Sequence, residues 1–131
     1  MFVPGETGKM FSVRCLDEDE TKQYKAQIYR TVEFNKDNCF DENTGVFKAP
    51  FDGVYVISAR VETDKMEAQV CSHIMIGDNS HTTIRGGYDG KSVCVLVQLK
   101  SSQKVWMKAE NPVIRYYFKN ITFSGTLIQT A

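Results

Sequence analysis

The sequence predicts an all-β domain, and three observations carry that expectation. Apolar and polar residues alternate with a period of two over short runs along the whole chain. Clusters of Gly, Asn, Asp and Pro separate the runs. No segment shows the apolar stripe, spaced three to four residues, of an amphipathic helix. About nine or ten short strands joined by such turns mean a sandwich, a barrel or a jelly roll. The chain has 131 residues, the size of one domain. No linker-like stretch divides it, so residues 1–131 read as one unit.

The elements follow in order. Phe11 to Cys15 alternates as a strand. Leu16 to Gln27, acidic at Asp17-Glu18-Asp19-Glu20, reads as a solvated loop. Ile28 to Phe34 returns to alternation, and Asn35 to Asn38 reads as a turn. Asp41 to Gly45 is a second turn, with Gly45 suited to positive φ. Val46 to Ala49 is a short strand stopped by Pro50. Asp52-Gly53 marks a tight turn into Val54 to Val61, where Tyr55, Ile57, Ala59 and Val61 share one face. Val56 adds apolar character to the other face, which predicts a central strand. Ala68 to Ile76 is a strand with Cys71, His73 and Met75 on one face, and Gly77 to Ser80 turns the chain. Thr82 to Arg85 is a short strand before the flexible loop Gly86 to Gly90. Val93 to Leu99 is almost continuously apolar, which predicts cover on both faces. Val105 to Ala109 and Thr122 to Gln129 complete the set, with a mixed stretch from Val113 to Asn120 between them.

Composition excludes several function classes. Lys plus Arg and Asp plus Glu are balanced at 16 each, so charge alone draws the chain neither to nucleic acid nor to an anionic membrane. No run approaches the ~20 apolar residues of a membrane-spanning helix. Met1 to Gly5 lacks the basic and apolar segments of a signal peptide. This fits a cytosolic protein or a mature or excised domain. Asn120-Ile121-Thr122 is a glycosylation sequon and favours the second case. Cys15, Cys39, Cys71 and Cys94 contain no C-x-x-C pair, so a zinc knuckle or thioredoxin-type site is not expected. Four cysteines permit two disulfides in three connectivities, or four buried thiols acting as small hydrophobes.

Residues spread over nearly the whole chain resemble the C1q family. Asn43-Thr44-Gly45, then Phe47, Ala49-Pro50, Gly53 and Tyr55, is similar to its core signature, with Phe34 and Phe40-Asp41 upstream. Phe123-Ser124-Gly125-Thr126-Leu127-Ile128 resembles its closing strand. Leu96 to Trp106 looks like its long strand pair joined by a short turn. The sequence departs from the family pattern at Ile57, where an aromatic residue is usual, and at Ala49, where vertebrate members often have Cys. The loop after Asp78 is short and does not clearly match the family's calcium-binding acids. The resemblance implies a ten-stranded jelly-roll β-sandwich of the C1q/TNF type, three copies around a threefold axis, and secreted recognition. A strand apolar on both faces, such as Val93 to Leu99, agrees with a subunit interface.

Candidate site residues divide into three groups. Gly53, Tyr55, Phe123, Gly125 and Ile128 match scaffold positions, Gly53 for a turn and Gly125 for a close approach. Arg85, Tyr88, Arg115, Tyr116 and Tyr117 mix guanidinium and aromatic groups near predicted loops, a chemistry that binds carboxylated or phosphorylated ligands. Asp78 and Asp89 flank a loop segment where family members can hold Ca2+. The same carboxylates equally suit solvated turns. His73 and His81 lack nearby partners in sequence that would make them metal ligands. His73 is expected half-buried on a strand and His81 exposed in a turn.

No H-E-x-x-H, G-x-S-x-G or phosphate-binding Gly loop occurs, so catalysis is not expected. The expected function is an extracellular homotrimer that binds microbial or cell-surface glycans or lipopolysaccharide in innate-immune pattern recognition. Calcium is its one candidate cofactor. With no Gly-x-y repeat, stalkless invertebrate C1q-like proteins are the nearest picture, and an excised head would look the same. The alternatives are a trimeric ligand for a protein receptor and a calcium-linked matrix or biomineral protein.

Overall fold

The computed structural model of the chain describes residues 7–16, 26–63, 69–110 and 118–131. Among them are ten strands: β1 (Gly8–Leu16), β2 (Tyr29–Asn35), β3 (Phe40–Asp41), β4 (Val46–Lys48), β5 (Gly53–Thr63), β6 (Val70–Ile76), β7 (Asn79–Gly86), β8 (Lys91–Leu99), β9 (Lys104–Ala109) and β10 (Phe118–Thr130). They form two antiparallel five-stranded sheets, ordered β2-β1-β10-β5-β8 and β3-β4-β9-β6-β7. This is the expected all-β jelly-roll sandwich. Asn35 to Asn38, read as a turn, contains a short 3₁₀ turn at Lys36–Asn38, with Asp37 and Asn38 at positive φ.

Strict alternation builds the core. In β5, Tyr55, Ile57, Ala59 and Val61 are buried while Val54, Val56, Ser58 and Arg60 are less so. Phe11 of β1 packs its ring 5.0 Å from Phe40, 4.7 Å from Phe47 and 4.8 Å from Phe123. Phe11 and Phe123 belong to one sheet, Phe40 and Phe47 to the other, so one aromatic cluster joins both layers. Each ring contributes large buried area and favourable ring geometry. The Tyr55 hydroxyl reaches back to the Pro50 corner. It donates to the Phe51 carbonyl at 2.7 Å and accepts from the Phe51 amide at 3.2 Å.

The glycines show how tight this packing is. A Cβ at Gly125 would lie 2.5 Å from the Phe11 ring, so only glycine lets β10 pass the aromatic cluster. Gly53, expected in a turn, is instead the first residue of β5. A Cβ there would collide with the Gln129 carbonyl, so a close approach of strands accounts for it.

Further local expectations differ from the structure. Ala26 and Gln27, assigned by their polar surroundings to a solvated loop, are buried. The Gln27 amide donates to the Met107 carbonyl and its side chain donates to Ser72 Oγ at 2.9 Å, so the cost of burying this polar group is offset by paired hydrogen bonds. The rest of that acidic segment, 17–25, lies outside the described residues. Among the described residues, Val93 to Leu99 is covered on one face only. β8 is a sheet edge, and Leu96 on its outer side is 66% exposed. Ser80 and His81, expected in a turn, already belong to β7. His81 is exposed as expected.

Candidate functional site

The strands deliver loops to two opposite ends of the sandwich. At one end β5 and β7 finish, β6, β8 and β10 begin, and Gly87 to Gly90 carries the chain from β7 in one sheet to β8 in the other. Arg85, Tyr88 and Asp89 sit here. Arg85 has 63% of its side chain exposed, and Tyr88 is 52% exposed. Arg115, Tyr116 and Tyr117 lie outside the described residues.

Beneath the loop is a tied network. Arg60 on β5 bonds Glu62 Oε1 at 2.8 Å, Ser92 Oγ at 3.0 Å and the Asp89 carbonyl at 3.3 Å. The Glu62 carboxylate, nearly buried, takes a second bond from Asn120 Nδ2 at 2.6 Å. This pairing of a partly desolvated carboxylate with a guanidinium and an amide fixes the loop's base. Asn120, the sequon residue, is exposed and has φ 50° at the register shift between β10 and β5. Its Nδ2, the atom a glycan would take, is the one donating to Glu62.

At the opposite end, Asn38 to Pro50 and Ser101 to Lys104 enclose a cleft of about 570 Å³. Asp41, Thr44, Lys48, Ser101, Ser102 and Lys104 give it a polar lining of both charge signs. The motif residues Thr44, Ala49 and Pro50 line one wall, but the cleft itself was not legible, because its other wall comes from a stretch some fifty residues on that meets the first through the β4–β9 pairing and the Ala49 to Ser102 and Gln103 backbone bonds.

The C1q domain model matches residues 10–128, from β1 into β10. The chain belongs to the C1q domain family. Among solved structures, it is similar to the globular domain of zebrafish complement 1qA protein, with TM-score 0.66 and 20% identity over 96% of this chain and 100% of that one. It is also similar to rabbit GITRL (TM-score 0.62, 12% identity, 92% of this chain and 96% of that chain) and pika GITRL (0.60, 9%, 95% and 98%). These likenesses show the shared fold.

In this C1q domain the two unusual family positions, Ala49 and Ile57, are both core residues, 1% and 0% exposed. Tyr55 and Phe123, read as scaffold, are fully buried, whereas Ile128, read the same way, is 46% exposed beside the register shift between Leu127 and Gln129. Asp78 and Asp89 are not brought together. Asp78 lies at the β6–β7 turn and Asp89 beyond the far end of the eight-residue β7, so they stand on the order of 25 Å apart at the usual rise per strand residue. One ion cannot touch both within a protomer.

All four cysteines are free thiols. Burial raises the Cys39 thiol from 9.0 to about 11. Cys94 is exposed, and Ser58 Oγ lies 3.4 Å from its sulfur. The fold also gives His73 the partners that sequence proximity did not show. Cys71, two residues earlier on the same face of β6, and Glu110, just after β9, converge on it, with ligand atoms all within 4.8 Å of one another. The signal was visible only in part. C-x-H alternation on a strand places Cys71 and His73 side by side, but Glu110 arrives through the β6–β9 pairing.

Proposed function

We propose that this C1q domain is a secreted, homotrimeric recognition module that binds repeating anionic glycans, lipopolysaccharide included, and performs no catalysis. The observation that carries the glycan reading is the exposure of Arg85 and Tyr88 together at one end of the sandwich, above a base held still by Arg60, Glu62 and Asn120. A guanidinium offers paired N–H donors to carboxylate or phosphate, and an exposed tyrosine ring offers a stacking face to a sugar. Such a site is small and weak alone. Three copies facing a repeating surface raise avidity by about 10²–10⁴ when the spacing matches.

The trimer is supported by the outer side of β8 and its neighbours. Leu96 pairs with Val56 across β5, and Ile128 is exposed on β10. An edge strand carrying such a residue is normally covered in a soluble protein, and a second copy would cover it. Calcium, if used, needs six to eight oxygens. Asp78 and Asp89 are each exposed, so either would need oxygens from a neighbouring copy or from the ligand.

The test is binding of the purified trimer to sialylated, neutral and bacterial glycans, with calcium and then with chelator. Selective binding that Arg85→Ala with Tyr88→Ala weakens at least about tenfold, at unchanged oligomeric state, is expected from losing a charge-assisted bond and a stacking face. Loss of binding on chelation would bring Asp89, the carboxylate at this end of the sandwich, into the site. A confirmed trimer that binds no glycan would overturn the reading in favour of a protein receptor.

A further inference from the structure

The outer face of the β3-β4-β9-β6-β7 sheet carries a side-chain cluster of which the proposed glycan site uses Arg85 alone. Cys71 and His73 project from β6 two residues apart. Arg85 and Thr83 on β7 stand directly opposite them, and Lys108 on β9 stands opposite His73. Glu110 follows β9, and its backbone amide donates to the Cys71 carbonyl at 3.0 Å, which fixes its place beside the thiol.

Two of the three candidate ligands are oriented by a second group. His73 Nδ1 lies 2.9 Å from Thr83 Oγ1 and 3.4 Å from Ser80 Oγ. With the proton on Nδ1 donated to Thr83, the lone pair is on Nε2, which faces Glu110 Oε1 at 3.9 Å. The other carboxylate oxygen, Oε2, lies 3.8 Å from Arg85 Nη1, leaving Oε1 for a further partner. A histidine whose second nitrogen bonds an oxygen, and a carboxylate held by its second oxygen, are the outer-sphere arrangements that metal ligands show.

We propose that Cys71, His73 and Glu110 form a three-ligand site for a borderline divalent cation, best matched by zinc, with water in the fourth position. One sulfur, one imidazole nitrogen and one carboxylate oxygen are a zinc donor set, and three protein ligands with an open position are a common zinc arrangement. The same set is a poor match for calcium or magnesium, which take oxygen ligands. Tetrahedral zinc, with bonds of about 2.0–2.3 Å, needs ligand atoms roughly 3.3–3.6 Å apart. The cluster therefore closes by about 1 Å around the ion, a movement within the rotamer freedom of exposed Glu110.

Electrostatics set the competition. Burial first, and then the hydrogen bond to Glu110 and its charge, raise the Cys71 thiol above its ordinary value. A divalent cation between the Cys71 sulfur and the Glu110 carboxylate would offset the repulsion between them. Arg85 and Lys108 oppose a cation nearby, so the site is weaker than a closed structural zinc centre. It is also separate from the Asp78 and Asp89 carboxylates considered for calcium.

The test uses the full chain with reduced thiols. Cobalt(II) is titrated and then displaced by zinc, reading the near-ultraviolet thiolate-to-cobalt band, with far-ultraviolet circular dichroism as the folding control. One cobalt per chain with a thiolate band is expected. The band disappears in Cys71→Ser and persists in Cys94→Ser. His73→Gln weakens binding at least tenfold, and Thr83→Val, which frees the imidazole, weakens it by about tenfold. Absence of a thiolate band in the folded, reduced chain overturns the proposal. So does a band that survives Cys71→Ser or is lost with Cys94→Ser. Should Cys71→Ser unfold, His73→Gln decides: unchanged affinity overturns the site.

Discussion

On the outer side of the β2-β1-β10-β5-β8 sheet, Leu96 is 66% exposed, Val56 sits opposite it, and Phe34 and Ile128 are also exposed. On the outer side of the other sheet, neighbouring positions are held by Cys71, His73, Thr83, Arg85, Lys108 and Glu110. The inner faces of both sheets obey the same alternation and meet in one core. The outer faces diverge because, among the described residues, neither is packed against a further layer. Apolar residues there favour covering by another chain, and clustered polar residues favour ions or ligands. In the proposed reading, one sheet serves assembly and the other binds ligands or ions.

The largest effect should come from the shared core, which tests whether the two faces depend on it equally. Phe11→Ala removes the ring that touches Phe40, Phe47 and Phe123. It is expected to cost about 3–5 kcal/mol in chemical denaturation and to weaken both faces together.

The next separates the faces. Leu96→Glu puts a charge into the apolar outer side of β8 and should convert the proposed trimer to folded monomer by sedimentation, with monomer stability changed by no more than about 0.5 kcal/mol. Lys108→Glu, the comparable change on the other sheet, should leave assembly unchanged. Equal sedimentation of both variants would remove the contrast.

The smallest is a pH effect on the interior that both faces share. Burial favours the neutral forms of Cys39, raised to about 11, and of Tyr29 and Tyr55, also raised. As pH rises past 9 the unfolded chain gives up these protons first. The contribution to stability is therefore complete below pH 9 and declines between 9 and 11. Denaturation midpoints at pH 7, 9 and 10.5 should show this loss, and Cys39→Ala should reduce it.

Much of the fold was legible in the chain. β1, β2, β5 and β10 follow from alternation and turn residues, β8 and β9 from apolar runs between turns, and the family motif gathers residues that end in the core, such as Phe47, Tyr55, Phe123 and Gly125. Burial of Ala26 and Gln27 was not legible, since the hydrogen bonds that offset it come from Met107 and Ser72, distant in sequence. Nor was the one-sided cover of β8. An apolar run reads alike whether its outer face meets another sheet or solvent.

The candidate sites divide in the same way. By itself the sequence determined the all-β class, the family and the presence of Arg85, Tyr88, Cys71 and His73, because local periodicity and motif spacing are properties of neighbouring residues. Only the tertiary structure decided that Asp78 and Asp89 stand at opposite ends of β7, that Glu62 links Arg60 to Asn120, and that Glu110 completes a cluster with Cys71 and His73. The physical reason is strand register. Which side chains meet across a sheet depends on how distant segments pair, and a shift of one residue would turn each of them to the other face.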